Sequence, residues 1–120
     1  MLSEMQVTIR DATYCLVSLS SPSQELKDSA AAVIVESEAV TLVITTDEAD
    51  AIGLPYDFAA AWLTLEVHSS LHAVGLTAAV AQVLTNEGIP CNVLAGFYHD
   101  HILVPAGKGH QVKVLLESQA

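Results

Sequence analysis

Positive charge is scarce in this sequence. Four lysines and arginines stand against 14 acidic residues, a formal net charge of −10 over 120 residues. Such a chain repels phosphate backbones, and no basic stripe offsets the field, so nucleic-acid binding and attraction to anionic membranes are disfavoured. The acids are spread without a run of one sign, the pattern of a solvated surface. Aromatic residues are also few, at 5%, so Val, Leu, Ile and Ala must build the core that a 52% hydrophobic content can fill. Cysteine is limited to Cys15 and Cys91, both within apolar strand-like runs. They form no CxxC pattern and imply no disulfide framework, which fits a reducing compartment. The lead MLSEMQVTIRD has neither the basic flank nor the apolar block of a signal peptide, and Pro55 and Asp57 interrupt the longest apolar stretch. The expectation is one cytoplasmic domain over 1–120 that does not enter a membrane.

The residues that are present alternate between two kinds of pattern. After a short polar lead, YCLVSLS (Tyr14–Ser20) reads as a buried strand, and SPSQELKDSA as a turn followed by one helical turn. AAVIVESEAVTLVITT places β-branched runs on either side of Ser37-Glu38-Ala39, a hairpin pattern. DEADAIGLP predicts a short helix from Asp47, stopped by Gly53 and Pro55. WLTLEVH (Trp62–His68) is another strand, followed by Leu76, Ala79, Val80, Val83 and Leu84 at helical spacing. Gly88-Ile89-Pro90 supplies a left-handed stop, an apolar residue to pack back, and a block to continuation. CNVLAGFY (Cys91–Tyr98) and HILVP (His101–Pro105) are strands that only a tight hairpin can join, and a last helix from Gly107 buries Val112, Leu115 and Leu116.

From Trp62 onward the order is strand, helix, strand, strand, helix. This is the βαββα run of a ferredoxin-like α+β sheet lacking its fourth strand. The strand at Tyr14–Ser20 is the candidate to fill the gap. The resulting expectation is one mixed or antiparallel sheet with the two longer helices on one face. No exact internal repeat is visible.

The segment GFYHDHILVP, Gly96 to Pro105, carries two histidines around Asp100. It reads as a polar turn, since Asp tolerates left-handed angles and bonds its own main chain. A metal reading needs His99 and His101 to converge with His68 or His72, and nothing in the spacing demonstrates three or four converging ligands. A catalytic reading fails for want of a serine or cysteine in a nucleophile elbow. No catalytic residue, metal or cofactor is therefore assigned.

A third reading makes the turn part of a ligand site. Between Trp62–His68 and the helix lies SSLHAVGL, Ser69 to Leu76. Free N–H groups at a helix start attract anions, including an amino-acid carboxylate. Ser69 or Ser70 can cap such a helix, and Gly75 lets a ligand approach the main chain. An ordinary capped helix start satisfies the same residues. If this loop meets the Gly96–Asp100 hairpin, a zwitterion can place its carboxylate on the amides and its ammonium at Asp100 or strand carbonyls.

EVHSSLHAVGLTAAVAQVLTNEGIPCNVLAGFYHDHILVP resembles the ACT-domain proteins of the small two-module bacterial type, whose modules are shared with the cytosolic arginine sensor of nutrient signalling. The resemblance implies a ferredoxin-like fold with a partial module in 1–61 and a βαββα module in 62–120. It also implies non-enzymatic, regulatory binding of a small ligand, often an amino acid. Ser70 and Leu76 match ligand-contacting positions where the sensor's loop enters its helix, and Gly96, Phe97 and Asp100 match its contacting hairpin. The acid expected in that loop is here Ala73, beside His72, which speaks against a guanidinium ligand and less against other amino acids. Partial modules with open sheet edges tend to pair, so a homodimer is expected. The alternative is a structural or partner-binding module whose ligand site has degenerated.

Overall fold

The structure, a computed structural model, describes residues 5–66 and 75–119. In chain order it contains strands β1 (Gln6–Leu19), β2 (Ala32–Val35), β3 (Val40–Thr45), β4 (Ala59–Glu66), β5 (Asn92–Ala95) and β6 (Asp100–Pro105). Its helices are α1 (Gln24–Ser29), α2 (Thr46–Ile52), α3 (Leu76–Asn86) and α4 (Gly109–Glu117), the last preceded by a 3-10 turn at Ala106–Lys108. The chain divides into a unit of Met1–Asp11 with Ala61–Ala120 and a second unit of Ala12–Ala60, and β1 passes through both.

The Ala12–Ala60 unit orders its strands β2-β3-β1. β3 pairs antiparallel with β1 from Tyr14↔Thr45 to Leu19↔Val40, and with β2 from Ala32↔Val43 to Val35↔Val40. Strand alternation puts Cys15, Val17, Leu42 and Ile44 on one face, where Leu26 of α1 and Ala49 of α2 close over them. Both helices begin on a side-chain cap: Leu26 N–H donates to Ser23 Oγ at 3.1 Å, and Glu48 N–H to Thr45 Oγ1 at 3.1 Å.

In the other unit the order is β1-β4-β6-β5, with β5 and β6 antiparallel from Asn92↔Leu103 to Ala95↔Asp100. The strand residues Val7, Leu63, Leu65, Ile102 and Val104 share a core with Val80 and Leu84 of α3 and Val112 and Leu116 of α4. The two longer helices thus cover one face of a ferredoxin-like α+β sheet, as the hydrophobic spacing predicts. α3 ends as its sequence indicates. Gly88 (φ 70°) bonds Thr85 O at 3.0 Å, while Ile89 N–H reaches Leu84 O at 2.9 Å and its side chain joins the core.

The strand start differs from the sequence reading. β1 begins at Gln6, eight residues before Tyr14, and its early part supplies the fourth strand of the βαββα run. The lead looks polar because only alternate residues, Met5, Val7 and Ile9, face the core. β5 is also shorter than the run Cys91–Tyr98 and ends at Ala95.

α4 grips that first strand by its main chain. Val7 N–H donates to Glu117 Oε2 at 2.8 Å, and Lys113 Nζ donates to Val7 O at 2.6 Å. Lys113 and Glu117, one helical turn apart, are themselves paired at 2.8 Å. These side chains satisfy backbone groups that would otherwise form an open strand edge.

Two outcomes follow from this packing. Lys113, and then the Val7 amide, hold the Glu117 carboxyl below its ordinary value of 4.5. The clamp therefore stabilises the fold above that pH and is lost as pH falls through the lowered value. Glu117→Gln should flatten the acid side of the stability–pH curve measured by urea denaturation. At Gly109 an added Cβ would meet Ala61 Cβ at 2.8 Å in the core. Overpacking of about 1–3 kcal/mol outweighs a helix-propensity gain of at most about 1 kcal/mol. Gly109→Ala should lower the urea midpoint, whereas Gly107→Ala, whose Cβ meets nothing within 4 Å, should leave it nearly unchanged.

Candidate functional site

α3 enters through a left-handed glycine. Gly75 occupies the N-cap with φ 88° and ψ 2°, and no side chain caps the helix. Its carbonyl accepts from Ala79 N–H at 2.8 Å. An added Cβ at Gly75 meets nothing within 4 Å, so the backbone angle rather than crowding calls for glycine. The helix starts later than a Ser69 or Ser70 cap implies. Ser69, Ser70, His72 and Ala73 lie outside the described residues. Leu76 is half-buried and packs against the core of its unit.

Gly96, Phe97 and Asp100 come together on the β5–β6 hairpin. Gly96 N–H donates to His99 O at 2.9 Å and closes the turn. Asp100 is the first residue of β6, opposite Ala95 and half-buried. Phe97 and Tyr98, which the run Cys91–Tyr98 placed in a strand, are instead the turn's tip. They are 88% and 78% exposed and pack edge to face, with ring centroids 4.9 Å apart.

Beside this turn lies a cluster around His101 that sequence reasoning did not assemble. Thr64 Oγ1 and His101 Nδ1 share a hydrogen bond of 2.9 Å. The His101 ring stands 5.1 Å from that of buried Trp62, and the Arg10 guanidinium sits 4.2 Å from the centre of the same indole. Burial pushes the His101 imidazole below its ordinary range. Arg10 and His99 push the same way, and Asp100 opposes them. The ring also explains Gly96: an added Cβ there would meet His99 O at 2.8 Å and His101 Nε2 at 3.2 Å. The available signal was strand alternation, which puts Trp62 and Thr64 on the opposite face from Leu63 and Leu65, but the register against His101 requires the fold. His99 and His101 have ring centroids 6.4 Å apart, and the described residues contain no group of three or more His, Cys, Asp or Glu able to hold a metal.

The first hairpin is an internal counterpart. β2–β3 pairs Ala32↔Val43 through Val35↔Val40, and β5–β6 repeats the same register sixty positions on. Its turn closes alike, Glu36 N–H to Ala39 O at 3.0 Å. Where the second hairpin has Gly96 under His101, the first has Glu36 accepting from the Thr41 hydroxyl at 2.6 Å.

Family comparison explains this duplication. An ACT-domain model matches residues 1–61, and a second ACT-domain model matches residues 58–118. The chain belongs to the ACT-domain family. Among solved structures, it is similar to a Vibrio cholerae protein of unknown function described as a possible transport protein. That match has 35% identity and a TM-score of 0.88, covering 96% of this chain and 89% of the other. A putative C-terminal regulatory domain of aspartate kinase from Porphyromonas gingivalis shares the fold at 17% identity and TM-score 0.63, over 98% of this chain and 97% of that one. So does the regulatory subunit of aspartate kinase from Thermus thermophilus, in its ligand-free form, at 11% identity and TM-score 0.59, over 92% and 93%. No curated protein matches the chain.

Filling the space at position 96 of this ACT hairpin should distort it. Gly96→Ala is expected to cost about 1–3 kcal/mol in urea denaturation, since a backbone carbonyl and a half-buried ring must both yield. The His101 ring resonances in an NMR spectrum should move with it.

Proposed function

We propose that this ACT-domain chain is a non-enzymatic regulatory module that binds a small amino acid. The observation that carries the reading is the uncapped, glycine-entered start of α3 within a two-module ACT chain. Gly75 offers the first-turn N–H groups no capping side chain, and a helix start carries partial positive charge. A ligand carboxylate bonds there, near Ser69, Ser70, His72, Ala73, Gly75 and Leu76. Its ammonium faces Asp100 on the hairpin that also bears Gly96 and Phe97. Ala73 offers no carboxylate for a guanidinium, so the ligand is an amino acid other than arginine. Similarity in fold to regulatory parts of aspartate kinase supports a regulatory role.

The chain acts as a cytoplasmic homodimer. Among the described residues each unit ends in a strand paired on one side only, β2 or β5, and Val33, Ile34 and Val35 of β2 are 41%, 38% and 80% exposed. Among the described residues no helix is long and apolar enough to cross a membrane. The surplus of acids argues against nucleic acid as a partner.

A second reading, binding of a macromolecular partner through a degenerate ligand site, draws on the exposed Phe97–Tyr98 pair. A thermal-shift screen with the twenty amino acids at millimolar concentration and pH 7.5 separates the two. Amino-acid binding should raise the melting temperature by several degrees for at least one compound, as a ligand at about 100 times its Kd adds roughly 2.7 kcal/mol. Asp100→Asn should remove that rise. A flat response to all twenty would leave the partner-binding reading standing.

A further inference from the structure

We propose that His101 makes the hairpin site proton-sensitive: its neutral ring holds the Gly96–Asp100 turn in place, and its imidazolium competes with a ligand ammonium for Asp100. The consequence for ligand binding rests on the amino-acid reading above, but the coupling of ring to turn does not.

The neutral ring is held from several sides. Nδ1 bonds the Thr64 hydroxyl at 2.9 Å, which can donate to it or accept from it according to the tautomer. One side of the ring lies towards the Trp62 indole, 5.1 Å between centroids. The Nε2 edge fills the space that glycine leaves at position 96, where a Cβ would stand 3.2 Å away. Gly96 in turn closes the turn through its 2.9 Å bond to His99 O. The ring is therefore a wedge between β4 and the turn.

A proton changes each term. Among the described residues, the charged groups facing His101 are Arg10 from β1 and His99 and Asp100 from its own hairpin, while β4 presents the uncharged Trp62 and Thr64. Burial disfavours the imidazolium first, and Arg10, which lies against the same indole, adds repulsion. The single attractive group among them is Asp100. The imidazolium is drawn towards that carboxylate, and any displacement of the ring withdraws support from Gly96. Neutral His101 thus stabilises the native turn above the ordinary imidazole value of 6.5, and this contribution is lost as pH falls through the lowered value. A ligand ammonium on Asp100 excludes the imidazolium, so by reciprocity affinity falls on acidification, by at most about tenfold per pH unit for one proton.

The first hairpin lacks this device. Its equivalent positions hold Glu36 and Thr41, bonded at 2.6 Å, and no imidazole. Proton sensitivity is accordingly confined to the second module.

The test is an NMR titration of the ligand-free chain from pH 8 to 5. The His101 ring signals should titrate with a midpoint below 6.5, and the Gly96 and Asp100 amides should shift with that same midpoint. Arg10→Met, which removes the charge and keeps an apolar chain over the indole, should raise the midpoint. His101→Phe should abolish the amide shifts. A midpoint at or above 6.5, or amides at 96 and 100 that do not follow the ring, would overturn the proposal, and Arg10→Met decides the matter should His101→Phe not fold. Because no amino acid is present, failure here leaves the ligand screen at pH 7.5 untouched, and a flat ligand screen leaves this titration untouched.

Discussion

With the Gly96 amide bonded to the His99 carbonyl, β5 and β6 meet in a register that sets Ala95 opposite Asp100. From that closure follow the half-buried carboxyl at the head of β6, the exposure of Phe97 and Tyr98, and the turning of His101 back towards Gly96. A Cβ at position 96 would crowd both the His99 carbonyl and the His101 ring, so a side chain there works against this arrangement. Glycine is needed here for space, whereas at Gly75 it is needed for a left-handed angle with open surroundings. The same residue type thus does two different physical jobs on the two candidate walls of the site.

The duplicated hairpin shows how one backbone solution supports different chemistry. Both hairpins share a register and a closing turn bond. In the first, a hydroxyl and a carboxylate satisfy each other, Thr41 to Glu36, and the surface is self-contained. In the second, the carboxylate position is empty of side chain and a titratable ring occupies the space. Residue identities at these paired positions have diverged far enough to hide the repeat from inspection of the sequence, while pairing geometry preserves it.

Features set by neighbours in sequence were legible. The α3 stripe of Val80 and Leu84, the Gly88-Ile89-Pro90 stop and both hairpins each rest on local spacing or turn chemistry. The ferredoxin-like order followed from stringing them together. The extent of β1 was not legible, because Gln6, Thr8 and Arg10 give a polar appearance to a strand whose other face is buried by a helix a hundred residues away. Phe97 and Tyr98 were misplaced because aromatic residues favour strands, and here the closing turn bond overrides that preference. The His101 cluster required register between β4 and β6, with Thr64 and His101 separated by 37 positions. No single-strand pattern contains that information.

The grip of α4 on Val7 has a bearing on how the chain acquires its shape during synthesis. The Ala12–Ala60 unit is contiguous and can condense as soon as it leaves the ribosome. The other unit joins two segments separated by that one, and the carboxylate and ammonium that hold Val7 are translated more than a hundred codons after it. The Val7 amide and carbonyl must therefore wait in water until α4 arrives, although β4 is made earlier to pair the strand's other side.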